Sequence, residues 1–77
     1  MIREHDRVVL TTDLPKYGPQ PGDVGIVVLV HGDKGYGVEF MTLGGDTVAV
    51  VSLAKNQVRE VGSDEVQHAR HIGPPAA

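Results

Sequence analysis

Two neighbouring segments decide the fold: Val24-Gly25-Ile26-Val27-Val28-Leu29-Val30-His31 and Tyr36-Gly37-Val38-Glu39-Phe40-Met41-Thr42-Leu43, joined by Gly32-Asp33-Lys34-Gly35. The first is the longest apolar segment in the chain and predicts a central strand. Its residues are largely branched at Cβ, which stiffens χ1 and suits a pleated surface better than a helix. The second alternates in part: Tyr36, Val38 and Phe40 share one face, and Gly37, Glu39 and Met41 share the other. A period of two is the signature of a half-buried strand. The four residues between them predict a hairpin connection.

Working outward, Arg7-Val8-Val9-Leu10 reads as a first strand. Thr11 to Pro21 carries Pro15, Gly18, Pro19 and Pro21 and reads as an irregular connector, since proline fixes φ and lacks a donor. Gly22-Asp23 is a turn signal, and Gly44-Gly45-Asp46 turns the chain again. Thr47 to Leu53 is the expected fourth strand, Ala54-Lys55-Asn56 a single helical turn, and Gln57 to Val61 a fifth strand. No window before Gly62 sustains the i, i+3, i+4, i+7 spacing of an amphipathic helix. The order predicts an all-β fold: a small five-stranded antiparallel SH3-like barrel over residues 1–61. Residues 62–77 form a tail, either disordered or a short helix. Ser63-Asp64-Glu65 would cap a helix over Val66 to Arg70, and Gly73-Pro74-Pro75 would stop it. A helix that short is marginal alone, so the tail reads as either a frayed end or a docked turn.

Composition narrows the possible chemistry. The chain has 77 residues and a mass of 8.2 kDa, enough for one small core. Cysteine is absent, which excludes a disulfide scaffold, a thiolate metal site and cysteine catalysis. The net charge of −3 and the absence of tryptophan count against a general nucleic-acid binder or a proline-rich peptide groove. The apolar run Ile26 to Val30 is far below the roughly 20 residues of a membrane helix. Met1-Ile2-Arg3-Glu4-His5-Asp6 has no apolar signal core. The expected setting is therefore cytoplasmic, with no membrane contact.

The pattern Asp6-Arg7-Val8-Val9-Leu10, then Gly22-Asp23-Val24-Gly25-Ile26-Val27-Val28, then Val38-Glu39-Phe40, then Val58-Arg59-Glu60-Val61, resembles a family of small bacterial proteins that carry a domain of unknown function. More loosely it is similar to other SH3-like barrels. These include the photosystem I reaction-centre subunit four, the variable chain of ferredoxin–thioredoxin reductase and ribosomal KOW-type domains. The resemblance spans about residues 6 to 61. It implies a barrel and, through the looser relatives, docking surfaces rather than catalysis. It brings no catalytic residue with it. Gly25 within a strand run marks a bulge or a close backbone approach, and Asp23 suits a turn that bonds its own amides.

Candidate chemistry is sparse. His68 and His71 stand three apart, and with Asp64 would make a metal site if the tail were helical, though solvated imidazoles are the plainer reading. His31 ends a strand beside a turn and has no paired nucleophile. The carboxylates are dispersed, mostly at turns. Gly32-Asp33-Lys34-Gly35 lacks the helix and the Lys-Ser/Thr step of a phosphate loop. Ser52 and Ser63 lie in no nucleophile elbow. Arg3, Arg7 and Arg59 would cluster if the first and last strands paired, but Glu4, Asp6 and Glu60 sit beside them. Tyr17, in the long loop, is expected to pack over the barrel end. No catalytic, cofactor or metal residue is assigned.

One feature exceeds what a lone barrel requires. Ile26 to Val30 is apolar on both faces, and so is Val48-Ala49-Val50-Val51, with Leu53 beyond. The candidate association surface is Ile26, Val27, Leu29, Ala49, Val51 and Leu53. Either Val27 and Leu29 point outward together or their neighbours do, with a bulge at Gly25 able to shift the register. Such a surface is expected to be covered by another copy of the chain, as a homodimer or homotetramer, by an unidentified protein, or by the tail through Val66 and Ile72. The expected function is a non-catalytic protein-interaction module, self-associating or accessory to a partner. The alternatives are a nucleic-acid accessory protein, and a small enzyme or ligand binder with its site at an oligomer interface.

Overall fold

The computed structural model describes residues 1–72. Five strands follow in chain order: β1 (Arg7–Leu10), β2 (Val24–Val30), β3 (Gly35–Met41), β4 (Thr47–Ala54) and β5 (Val58–Glu60), with a 3₁₀ turn, Lys55–Gln57, before β5. All pairings are antiparallel and form one sheet in the order β4-β3-β2-β1-β5. The all-β class and the five strands are as expected. The barrel is not closed: β4 and β5 are the two edges of an open sheet, and no ladder joins them among the described residues. The reason is local. The side-chain carbonyl of Gln57 accepts the Ala54 N–H at 2.8 Å, so the 3₁₀ turn takes the chain out of β4 before β5 begins. Gln57 therefore belongs to the turn, and β5 keeps only three residues.

The core lies on one face of this sheet. Val8, Leu10, Val27, Tyr36, Val38, Phe40, Val51, Leu53 and Val58 are buried together, and Ile2, Leu14, Val48 and Ala49 pack against them. Each large aliphatic side chain fully withdrawn from water contributes about 1.5–3 kcal/mol. Register places these residues together. Val27 pairs with Val38 and Val38 with Val51, while Tyr36 pairs with Leu53. Directly opposed residues of an antiparallel pair share a face, so the row is continuous across three strands.

Two irregularities set what faces outward. The β2–β3 register slips between Val27 and Leu29. Val28 is the extra residue, and the bulge lies there rather than at Gly25. Gly25 instead supplies a close approach: a Cβ at this position would meet Val38 Cγ1 at 2.5 Å and Phe40 Cε1 at 3.0 Å. The second slip lies between Phe40 and Met41, opposite Thr47 to Ala49.

Among the described residues the tail forms no helix. After β5 it turns at Ser63–Asp64 and continues without regular structure to Ile72. It is nevertheless tied down. Arg70 clamps Asp23, Nε to Oδ1 at 2.9 Å and Nη2 to Oδ2 at 2.5 Å, and its Nη2 also donates to the Gly18 carbonyl. The docked alternative holds as far as Ile72, whereas the predicted stop at Gly73-Pro74-Pro75 lies outside the described residues.

Candidate interaction surface

The outward face of β2, β3 and β4 follows from the register. Ile26 stands opposite Glu39 and Glu39 opposite Val50, while Leu29 stands opposite Gly37 and Gly37 opposite Ser52. Of the residues on this side, Leu29 is 49% and Val50 61% exposed, and Ile26 is half-buried. Val28, released from the ladder by the bulge, and Met41 at the end of β3 are also exposed, as is Val30, which stands opposite Tyr36 on the core side. Glu39 is the polar exception and accepts a hydrogen bond from the Thr47 hydroxyl at 2.7 Å.

This arrangement corrects part of the expected surface. Val27, Val51 and Leu53 are buried in the core, so three of the six proposed residues cannot line an outer face. Ala49 is half-buried and packs on the core. Ile26 and Leu29 remain. The cause is the bulge at Val28: it lets Val27 point inward and Leu29 outward, although strict alternation would put them on the same side. Val28 was missed for the same reason, whereas Val50 was missed because β4 is apolar on both faces and its composition does not say which face turns inward.

The two sheet edges differ. β5 is three residues long and carries Arg59 and Glu60. Arg59 makes a two-pronged ion pair with Glu65 at 2.7 Å on both arms, and the Gly62 amide donates to the same carboxylate at 2.6 Å. Arg59 first and the Gly62 amide second hold the Glu65 carboxyl down at about 2. The Met1 ammonium lies 3.1 Å from Glu60. β4, by contrast, is eight residues of Thr-Val-Ala-Val-Val-Ser-Leu-Ala with no charge and no proline, and its outer edge pairs with no strand among the described residues.

Val66 of the tail is 94% exposed, whereas Ile72 reaches the body of the molecule near Gly18. An open cleft beneath the tail is lined by residues that include Arg7, Asp23, Glu39, His68 and Arg70. Burial raises the Asp23 carboxyl, but the Arg70 guanidinium and the Gln20 amide outweigh it, and the group sits below its ordinary value. Asp23 and Arg70 are committed to each other. His68, His71 and Asp64 do not converge, and no group of three potential metal-ligating side chains comes together among the described residues. Tyr17 stands out from its loop, 55% exposed, rather than packing over the core. Among the described residues no helix is long and apolar enough to cross a membrane.

Comparison with known proteins adds one positive finding. Neither curated proteins nor solved structures gave a match. The family model described as "Domain of unknown function (DUF4926)" matches residues 4–60, which takes in all five strands and stops before the tail. The chain therefore belongs to the DUF4926 family.

Proposed function

We propose that this chain is a non-catalytic protein-interaction module that acts by self-association. The observation that carries this reading is the apolar outer surface of the β2–β4 half. Val28, Leu29, Met41 and Val50 are all at least 40% exposed within one sheet region. Apolar side chains exposed together on a small protein mark a contact site. A chain of this size also has little core to offset its conformational entropy, and association supplies more. A cytoplasmic setting fits the absence of cysteine.

Light scattering on the eluting full-length chain tests the reading. The expected mass exceeds 8.2 kDa and rises with loading concentration. It is little weakened by salt, because apolar contacts are not screened. Association that disappears in moderate salt, or that requires added nucleic acid, would contradict it.

A further inference from the structure

We propose that a second copy of this chain seats on the free edge of β4, antiparallel to the first, so that the two open sheets join into one. This rests on the self-association reading but places the seam at the sheet edge, where Val50 alone of the outer apolar residues lies on the joining strand. Main-chain geometry is the first support. In an antiparallel strand, successive residues direct their N–H and C=O alternately to either side. The Ala54 N–H turns away from β3 to Gln57, so the same alternation turns the amides of Val50 and Ser52 toward the open edge. No other segment bonds to them among the described residues.

Negative design supplies the second support. Edge strands are normally blunted by charge, proline, shortness or a covering segment. β5 has three of these protections: it is short, it is charged, and the Gly62–Glu65 turn ties down its end through Arg59. β4 carries no charge or proline over eight residues; a bulge irregularity opposite Thr47 to Ala49 and the Gln57 side chain at Ala54 guard only its two ends, and the stretch between them is bare.

Charge sets the occupant and its direction. β4 is neutral along its length, with Asp46 just before it and Lys55 just after it. Antiparallel pairing of two copies brings the acidic end of each to the basic end of the other. Parallel pairing would set like charges side by side. Lys55 is only loosely engaged at home, 4.0 Å from an exposed Asp33. Pairing Val50 of one copy with Ser52 of the other, and the reverse, exchanges four main-chain hydrogen bonds. That register sets Lys55 of one copy opposite Thr47 of the other, next to Asp46. Leu29 lies on β2, two strands in from the edge, and stays exposed in such a dimer.

Amide hydrogen exchange of the full chain at low and high concentration, with mass measured alongside, tests this. The Val50 and Ser52 amides are expected to slow at least tenfold as the dimer forms, while those of Val51 and Leu53, already bonded to β3, hardly change. Ser52→Pro removes an edge donor without touching the β3 ladder and should weaken dimerisation at least tenfold. Val50→Lys, at an exposed side chain, should do likewise and guards against a folding defect in the proline variant. Lys55→Asp should weaken it, and Asp46→Lys added to Lys55→Asp should restore it. A dimer that ignores Ser52→Pro and Val50→Lys but is lost in Leu29→Lys overturns the edge while keeping self-association. A monomer at every concentration overturns both. A monomer with slow Val50 and Ser52 amides even when dilute would mean that a segment of its own chain covers the edge, and this too overturns the proposal.

Discussion

Gly25 and Gly35 are the residues on which the hairpin geometry rests, each for a different reason. At Gly25 there is no room: Val38, Phe40 and the Glu39 carbonyl all lie within 3.1 Å of where a Cβ would stand. At Gly35 the backbone has a φ of +149°, which side chains rarely adopt, and a Cβ would press on the Leu53 carbonyl. Gly25→Ala and Gly35→Ala are each expected to destabilise the fold by about 1–3 kcal/mol, the range for forced overpacking. Urea midpoints measured at unchanged slope check this, and a midpoint equal to that of the parent chain would show that the neighbouring strands yield freely. Gly25 was legible in the sequence as either a bulge or a close approach, and the close approach is what it supplies. Val28 was not. Nothing in Val27-Val28-Leu29 distinguishes the looped-out residue, because the slip is settled by which residues of β3 fill the core opposite.

At the scale of elements, the β2–β3 hairpin was legible because apolar runs, turn glycines and alternation all agreed. Which of the tail's alternatives holds was not legible, for the converse reason. Its acids and histidines fit a helix locally, but Arg70 is held by Asp23, 47 residues earlier, and no local pattern encodes that contact. Arg59 with Glu65 and Arg70 with Asp23 are the two ties of the tail, and both acids lie below their ordinary values. A carboxyl whose folded value is depressed contributes stability that is complete above its unfolded value and is lost as pH falls through the folded one. The Glu65 tie is thus expected to be complete above pH 4.5 and to fail as the pH approaches about 2. The Asp23 tie begins to weaken below pH 3.8. Amide exchange across residues 63–72 should accelerate in that acid window while β2 and β3 stay protected, and equal protection of the tail at pH 6 and pH 2 would contradict it. At neutral pH, Arg70→Ala should free residues 67–72 and shift the unfolding midpoint only slightly, since partly exposed ion pairs contribute about 0–1 kcal/mol. A large loss of stability would instead make the tail a structural part of the sheet.

The whole molecule is an open sheet with one guarded edge, one bare edge and an apolar outer surface beside the bare one. Excess apolar surface was legible from the two-sided valine runs, although half of the residues assigned to it turned out to be core. Position along a strand does not say which side a bulge will favour. What the outer surface does depends on whether water or another chain meets it. Replacing Leu43, 93% exposed at the β3–β4 connection, with Ser is expected to leave stability within about 0.5 kcal/mol, as at other exposed sites. A loss well beyond that range in a concentrated sample would place the connection inside the contact. Sedimentation equilibrium of the unmodified chain from micromolar to millimolar concentration tests self-association most directly. The expected result is a weight-average mass that climbs from 8.2 kDa toward twice that value. A mass of 8.2 kDa throughout would contradict it.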